Sequence, residues 1–439
     1  MRRSLLRYTR FLLLPLLAVG LVLTGCDSSG SNGVDNGSDD NGSNGSTTTF
    51  EYPSATYGAE TAVNLLAFDL GVRVGSASNN SEAVLVDLYE GNNLDGTTLS
   101  SALSGSPEQS TYGDVASGVT LSSLVSTDAL VRGNQLDPQD TPNPGSDVNT
   151  DELLRYYFQK AGAGDSTRTS NGIVLSQFAE KMLLGTPIYG KGAAILSDFA
   201  DGNVSSDQAE QWDAAFGYFG FPRTLEPFLD YSGGTEGLAG GNVARDVDDN
   251  GSVDLTSEYV HTWASYAIER SAAAANNGNE NDFARRAFEA LVQGREAIES
   301  GEDPSSQAET ALQAWEQVVA INVIHYVNSM QGNLEGASGM LESPAEGESG
   351  NVGEDAWGEA KAFAWGLQFY SDELNDDQLN TILENIGNDP PYGEMTASEY
   401  SKLLGEGLDT DDDGAVEEDG VKRILENAYD FNSSNVDAW

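Results

Sequence analysis

The sequence predicts a mainly α-helical protein, and three observations carry that expectation. From Phe50 onward apolar residues recur at three- and four-residue steps, alternating strand patterns are scarce, and Gly, Asp and Pro punctuate the periodic stretches. No tandem repeat of fixed period is present, so a solenoid of standard repeat type is not expected. With 39% hydrophobic residues in 439, the chain can bury a full core.

In chain order, the candidate helices are Glu60 to Val72, Thr150 to Ala161, Gly172 to Leu184, Ser206 to Phe219, Glu258 to Ala275 and Asp282 to Ser300. Pro304 to Met330, Glu354 to Asp372, Asp376 to Ile386, Ala397 to Leu404 and Val421 to Tyr429 complete the series. The clearest pair lies mid-chain. Ala284, Phe288, Leu291 and Ile298 mark one face of a helix that ends at Gly301, and Asp303-Pro304 caps and starts the next. In that second helix Leu312, Trp315, Val319, Tyr326 and Met330 form a stripe, which Val318, Ile321 and Ile324 widen beyond one face. Such a helix belongs at the centre of a core. Polar segments at Asp137 to Asn149, Tyr231 to Gly241 and Asn333 to Gly353 read as loops, and none proves a domain boundary, so residues 50–439 are expected to form one all-α domain.

The residues before this body carry an address. Arg2, Arg3, Arg7 and Arg10 precede the apolar stretch Phe11 to Leu23, and Leu23-Thr24-Gly25-Cys26 closes it, the pattern of a bacterial lipoprotein signal. Residues 1–25 are therefore expected to be removed and Cys26 lipidated, anchoring the protein in the cell envelope, with the outer membrane the expected location. Residues 26–49, the anchor and a Gly/Ser/Asn/Asp-rich run, read as a flexible tether with a reach of roughly 25 Å.

Charge narrows the functional classes. The chain has 70 acidic and 21 basic residues, a net of −49. Without the four arginines of the signal, 17 basic residues remain and the net is −53. Such a surface repels phosphate, which removes the electrostatic basis for nucleic-acid binding. At about 1 M salt the Debye length falls to about 3 Å and the self-repulsion is screened, so the acidity fits a salt-loving source. The single cysteine excludes internal disulfides, multi-cysteine zinc sites and iron–sulfur clusters.

Two acidic loops have the spacing of calcium ligands. Asp246, Asp248, Asn250, Ser252 and Asp254 fit D-x-D-x-N-G-x-x-D, with Gly251 at the sharp turn, Ser252 offering its carbonyl, and Glu258 one residue beyond the usual bidentate position. Asp409, Asp411, Asp413, Ala415 and Glu417 repeat the pattern around Gly414. The competing reading is an acidic turn in an acid-saturated chain. If calcium binds, the role is structural, because gathered carboxylates repel one another until a cation neutralises them.

Several segments resemble a family of bacterial lipoproteins catalogued as domain of unknown function 4856. The run Trp212-Asp213-Ala214-Ala215-Phe216-Gly217-Tyr218 is similar to its W-D-E-A-F-G-Y segment, and Ala287 to Ile298, Ala320 to Tyr326 and Ala364 to Phe369 follow in the family's order. The resemblance covers about residues 50 to 432. It implies a mostly helical envelope lipoprotein without established activity, whose genes accompany those of imelysin-like, iron-related envelope proteins, and hence a part in metal or haem acquisition. The Gly-x-His-x-x-Glu motif of imelysin-like proteins is absent.

Signals for an enzyme are weak. His261 and His325 are the only histidines, with no H-E-x-x-H motif, and no G-x-S-x-G elbow exists. Both histidines read as core residues. Trp212, Asp213 and Tyr218 are candidates for a binding cleft, against the commoner reading of aromatic core. The sequence therefore points to a non-enzymatic, lipid-anchored binding or accessory protein stabilised by Ca²⁺, with imelysin-like or other metal-uptake envelope proteins as expected partners. An envelope hydrolase using acidic residues, or a structural or adhesive surface protein, are the alternatives.

Overall fold

The apolar stripe around residues 312–330 becomes the axis of the molecule. In the computed structural model, which describes residues 49–76, 80–163, 167–229, 243–276, 281–336, 352–392, 397–405 and 419–439, it lies within a 32-residue helix, Ser305–Gly336. Cys26, the tether as far as residue 48, the loop at Tyr231 to Gly241 and the second acidic loop, Asp409 to Glu417, lie outside the described residues. Residues from Ser46 onward group as one unit.

The described helices are α1 (Gly58–Val74), α2 (Glu82–Tyr89), α3 (Tyr112–Val115), α4 (Thr150–Gly162), α5 (Leu175–Leu183), α6 (Lys191–Ala200), α7 (Gln208–Phe219) and α8 (Thr262–Asn276). They continue with α9 (Phe283–Ser300), α10 (Ser305–Gly336), α11 (Val352–Gly366), α12 (Asp376–Ile386), α13 (Ala397–Leu404), α14 (Val421–Tyr429) and α15 (Ser433–Val436). The mainly helical class is as the sequence predicts.

Local chemistry sets many of the ends. Asn149 and Asn375 form capping boxes with Glu152 and Gln378, satisfying N–H groups that the first turns of α4 and α12 leave free. Asp282 caps α9, which stops at the left-handed Gly301. Along α10, Val318, Val319, Ala320, Ile321, Val323, Ile324 and Val327 are all fully buried, because α9 and α11 flank it and α6, α8 and α14 pack against its other faces. Trp315 on α10 meets Tyr189 edge-on at 5.6 Å and Phe219 at 4.4 Å, joining the α5–α6 region to α7.

The helix expected to end at Met330 runs on to Gly336, into the segment expected as a loop, and four further boundaries differ from the sequence reading for a physical reason. The helix expected to stop at Leu184 runs on through a π-helical segment, Leu184–Gly190, into α6. Pro187 has no N–H to give, the wider register bypasses it, and Trp263 Nε1 donates to Leu184 O at 3.1 Å. The helix expected from Glu258 begins only at Thr262, because Tyr259–Val260 pair antiparallel with Val243–Ala244 as a two-stranded ribbon, β1 (Val243–Ala244) and β2 (Tyr259–Val260). The helix expected to reach Asp372 ends at Gly366, where Gln368 instead accepts from Val131 N and donates to Ala129 O. At the front, Thr49, assigned to the tether, already bridges Thr224, and Phe50 stacks on Phe216 at 3.7 Å. Among the described residues no helix is long and apolar enough to cross a membrane.

Candidate metal centre

The acidic loop Asp246 to Glu258 hangs on the ribbon, leaving it after β1 and returning through β2. Its backbone folds as the spacing requires. Asp249 and Gly251 take positive φ values of 59° and 91°, the second a conformation suited to glycine alone. Asp246 then accepts from Asn250 N at 3.0 Å and Gly251 N at 2.8 Å, which wraps the loop around its own carboxylate.

Glu258, one residue late by spacing, is nevertheless brought back. A tight turn absorbs the extra residue, with Glu258 N donating to Asp254 O at 2.8 Å. Its carboxylate, on a residue only 6% exposed, accepts from Val247 N, Asp248 N and Asp254 N. One carboxylate oxygen from each of Asp246, Asp248 and Glu258 lies within 4.8 Å of the others, a separation that a calcium ion bound at 2.3–2.6 Å spans.

The side chains of the remaining expected positions are otherwise engaged, which leaves the Ser252 carbonyl, the atom expected to ligate there, untouched by these bonds. Asn250 Oδ1 receives Ser252 N at 2.8 Å, while Asn250 Nδ2 lies 3.1 Å from both Asp248 Oδ2 and Glu108 Oε1. Ser252 Oγ donates toward Glu108 Oε1 at 2.9 Å. Asp254 is a turn anchor and not a ligand: burial would raise its pKa, but hydrogen bonds from Ser257, Thr256 and Gln109 hold it below the ordinary value. Glu108 is the residue sequence reading missed. The pairing of Pro107 with Val253, 146 positions along the chain, delivers it, and no local spacing signals that.

The cleft expected at Trp212, Asp213 and Tyr218 is packed core. Trp212 is fully buried and donates to Leu291 O at 2.7 Å, Asp213 pairs with Arg295 at 2.8 Å, and Tyr218 is 7% exposed. His261 is buried with Nε2 2.8 Å from Leu255 O, and burial pushes its pKa down to about 4. Burial, then the charge of Arg270, pushes His325 down to about 3. Both are neutral near pH 7, His261 in the core and His325 half-buried against Tyr326.

A buried charge network lies between α5, α8, α10 and α11. Lys181 Nζ sits 3.0 Å from Glu180 and 3.4 Å from Glu359, over the ring of Tyr266, whose hydroxyl is 3.5 Å from that of Tyr326. Burial raises Glu359 to about 7 in spite of Lys181, and burial together with Glu354 raises Asp355 to about 6. A carboxyl raised in this way holds its proton more tightly folded than unfolded. Its stabilising share is complete below its unfolded value near 4.5 and is lost as pH rises to about 7. Glu359→Gln should therefore melt above the wild type at pH 8 and close to it at pH 5; the same difference at both pH values would refute the assignment.

Acids also line a cleft of about 450 Å³ that includes Asp201, Glu309, Glu316, Asp372 and Glu373. Glu316 is held there by Ser371 Oγ, by Tyr429 OH at 2.8 Å, and by the N–H groups of Asp372 and Glu373. Those four donors anchor the carboxylate in place and pull its pKa down, but burial outweighs them and holds it above the usual carboxylate range. Compared with protein families, with curated proteins and with solved structures, the chain matches none.

Proposed function

We propose that this is a lipid-anchored cell-envelope protein of non-enzymatic function, a binding or accessory component of metal acquisition whose ribbon region is ordered by calcium. The convergence of Asp246, Asp248 and Glu258 carries the calcium part of this reading: the loop brings together three carboxylates that the sequence leaves one residue out of register. The lipoprotein signal ending at Cys26 supports the anchor, and the resemblance to the uncharacterised lipoprotein family supports the link to metal uptake.

One set of preparations tests both halves. Cys26→Ser should move the protein from the membrane to the soluble fraction. Calcium at about a hundred times its Kd should stabilise the chain by about 2.7 kcal/mol, seen as a rise of a few degrees in Tm over the chelated protein. Asp246→Asn with Asp248→Asn should remove most of that rise. Membrane retention of the serine variant would sink the anchor, and a melt indifferent to exhaustive chelation would sink the calcium loop.

A further inference from the structure

Given calcium in the Asp246 loop, the reading on which this rests, we infer that Glu108 is a fourth acid of that centre, set one layer of hydrogen bonds outside Asp246, Asp248 and Glu258. Through Glu108 the ion latches a separate arm of the chain, residues 97–112, onto the ribbon.

The arm is closed at its base and rooted in the helical core. Thr98 bridges Thr111, Leu99 N donates to Ser110 O at 3.1 Å, and Tyr112 N donates to Thr97 O at 3.1 Å. Tyr112 OH then donates to Asp69 on α1, also at 3.1 Å. The tip of the arm lies along the acidic loop. Val253 N donates to Ser106 O and Glu108 N to Val253 O, both at 3.0 Å. The Gln109 amide donates to Asp254 Oδ1 at 2.9 Å and accepts from Leu255 N at 3.1 Å. Gly105 has a φ of 78°, and a Cβ there would come within 2.7 Å of the Ala244 Cβ on β1, an approach that only glycine allows.

These contacts carry the Glu108 carboxylate to the rim of the centre. Asn250 Nδ2 lies 3.1 Å from Glu108 Oε1 and 3.1 Å from Asp248 Oδ2, so one amide draws two acids together. Without a cation, a fourth negative charge is added where three already repel one another. With a cation, the same charge is attracted to the centre, and the contribution of Glu108 changes sign. The Ser252 hydroxyl makes the link local: it has one proton and two acceptors, Asn250 Oδ1 at 2.6 Å and Glu108 Oε1 at 2.9 Å. A cation that draws on Asn250 Oδ1 leaves that proton to Glu108 and tightens the latch. Calcium binding and docking of the arm are then coupled, each strengthening the other by the same factor.

The test uses the full-length chain with the second acidic loop neutralised by Asp409→Asn and Asp411→Asn, and calcium alone as the probe. Glu108 is exposed, so Glu108→Gln removes its charge without disturbing the core. By titration calorimetry the substitution should weaken calcium binding about tenfold, as loss of an outer partner of a metal site does. Its Tm should be higher than the parent's under chelation, where a repulsion is gone, and should rise less when calcium is added. Saturating calcium should slow amide hydrogen exchange at Glu108 and Val253 in the parent chain, and Glu108→Gln should remove most of that slowing. An affinity equal to the parent's, or a slowing that survives the substitution, overturns the latch and leaves the loop standing. If Asp246→Asn with Asp248→Asn does not change calcium uptake, the loop itself fails and the latch falls with it.

Discussion

Asp213→Ala is expected to destabilise the protein by about 3 kcal/mol, measured as a loss of unfolding free energy in denaturant. The figure follows from what the substitution strands. Arg295 has no solvent exposure, and its Nε donates to Asp213 at 2.8 Å while Nη1 reaches Glu299 at 2.6 Å and Nη2 reaches Ser54 at 3.1 Å. The guanidinium also lies 4.8 Å from the ring of Tyr52, so one cation ties the entering chain to α7 and α9. Burial pushes the Asp213 carboxyl up and Arg295 pulls it back down, the balance of a charge that exists only because of its partner. Without Asp213 the guanidinium keeps only Glu299, half in solvent, as a counter-ion. Replacing both members, as Asp213→Ala with Arg295→Met, should cost less than Asp213→Ala alone, since no unpaired charge is then buried. If Asp213→Ala falls within about 0.5 kcal/mol of the wild type, as surface substitutions do, the carboxylate is solvated and the cleft reading of this segment returns.

This pair shows what charge counting in the sequence can and cannot reveal. An excess of acid reads directly as a solvated surface, but the basic residues are informative in the opposite sense. Lys181, Lys361, Arg168, Arg270 and Arg295 are all buried, each where an acid or a helix-end carbonyl lacks a counter-charge. In a chain with so few cations, a lysine or arginine inside an apolar helical pattern is a pointer to a buried network. Glu180-Lys181 and Glu359-x-Lys361 stand in such patterns, yet among 70 acids their partners have no distinguishing spacing.

The legible parts of the fold are those where one physical rule acts locally. Helices α4, α9 and α12 declare themselves by an Asn or Asp cap followed by a periodic face, and α14 by its strongly one-sided face. The boundaries that went astray depend on distant partners. The chain reads as leaving its helix at Leu184 until a π-helical segment carries it past Pro187, with Trp263 donating to Leu184 O, and Tyr259 reads as helix until Ala244 pairs with it. The candidate metal centre divides the same way. Asp246, Asp248 and Gly251 are set by spacing within one loop, whereas the return of Glu258 and the approach of Glu108 come from a turn and a cross-chain pairing that no nine-residue pattern encodes.

Trp212 and Gly294 test the packed-core reading from the other side, through their coupling. The indole of Trp212 is buried, lies edge-on to Phe199 at 4.9 Å and donates to Leu291 O, one turn before Gly294 on α9. Truncation to alanine removes that volume from a site with no slack, and about 3–5 kcal/mol of stability should go with it. A Cβ at Gly294 would fall on the indole ring itself. Gly294→Ala should therefore destabilise the native protein by about 1–3 kcal/mol, although alanine is favoured over glycine by about 1 kcal/mol inside a helix. In a Trp212→Ala background the obstacle is gone, only the helical preference remains, and the same substitution should become neutral or stabilising. The reversal of sign is the decisive reading, because an indole lining an open cleft would swing aside for the added methyl and leave the effect of Gly294→Ala the same in both backgrounds.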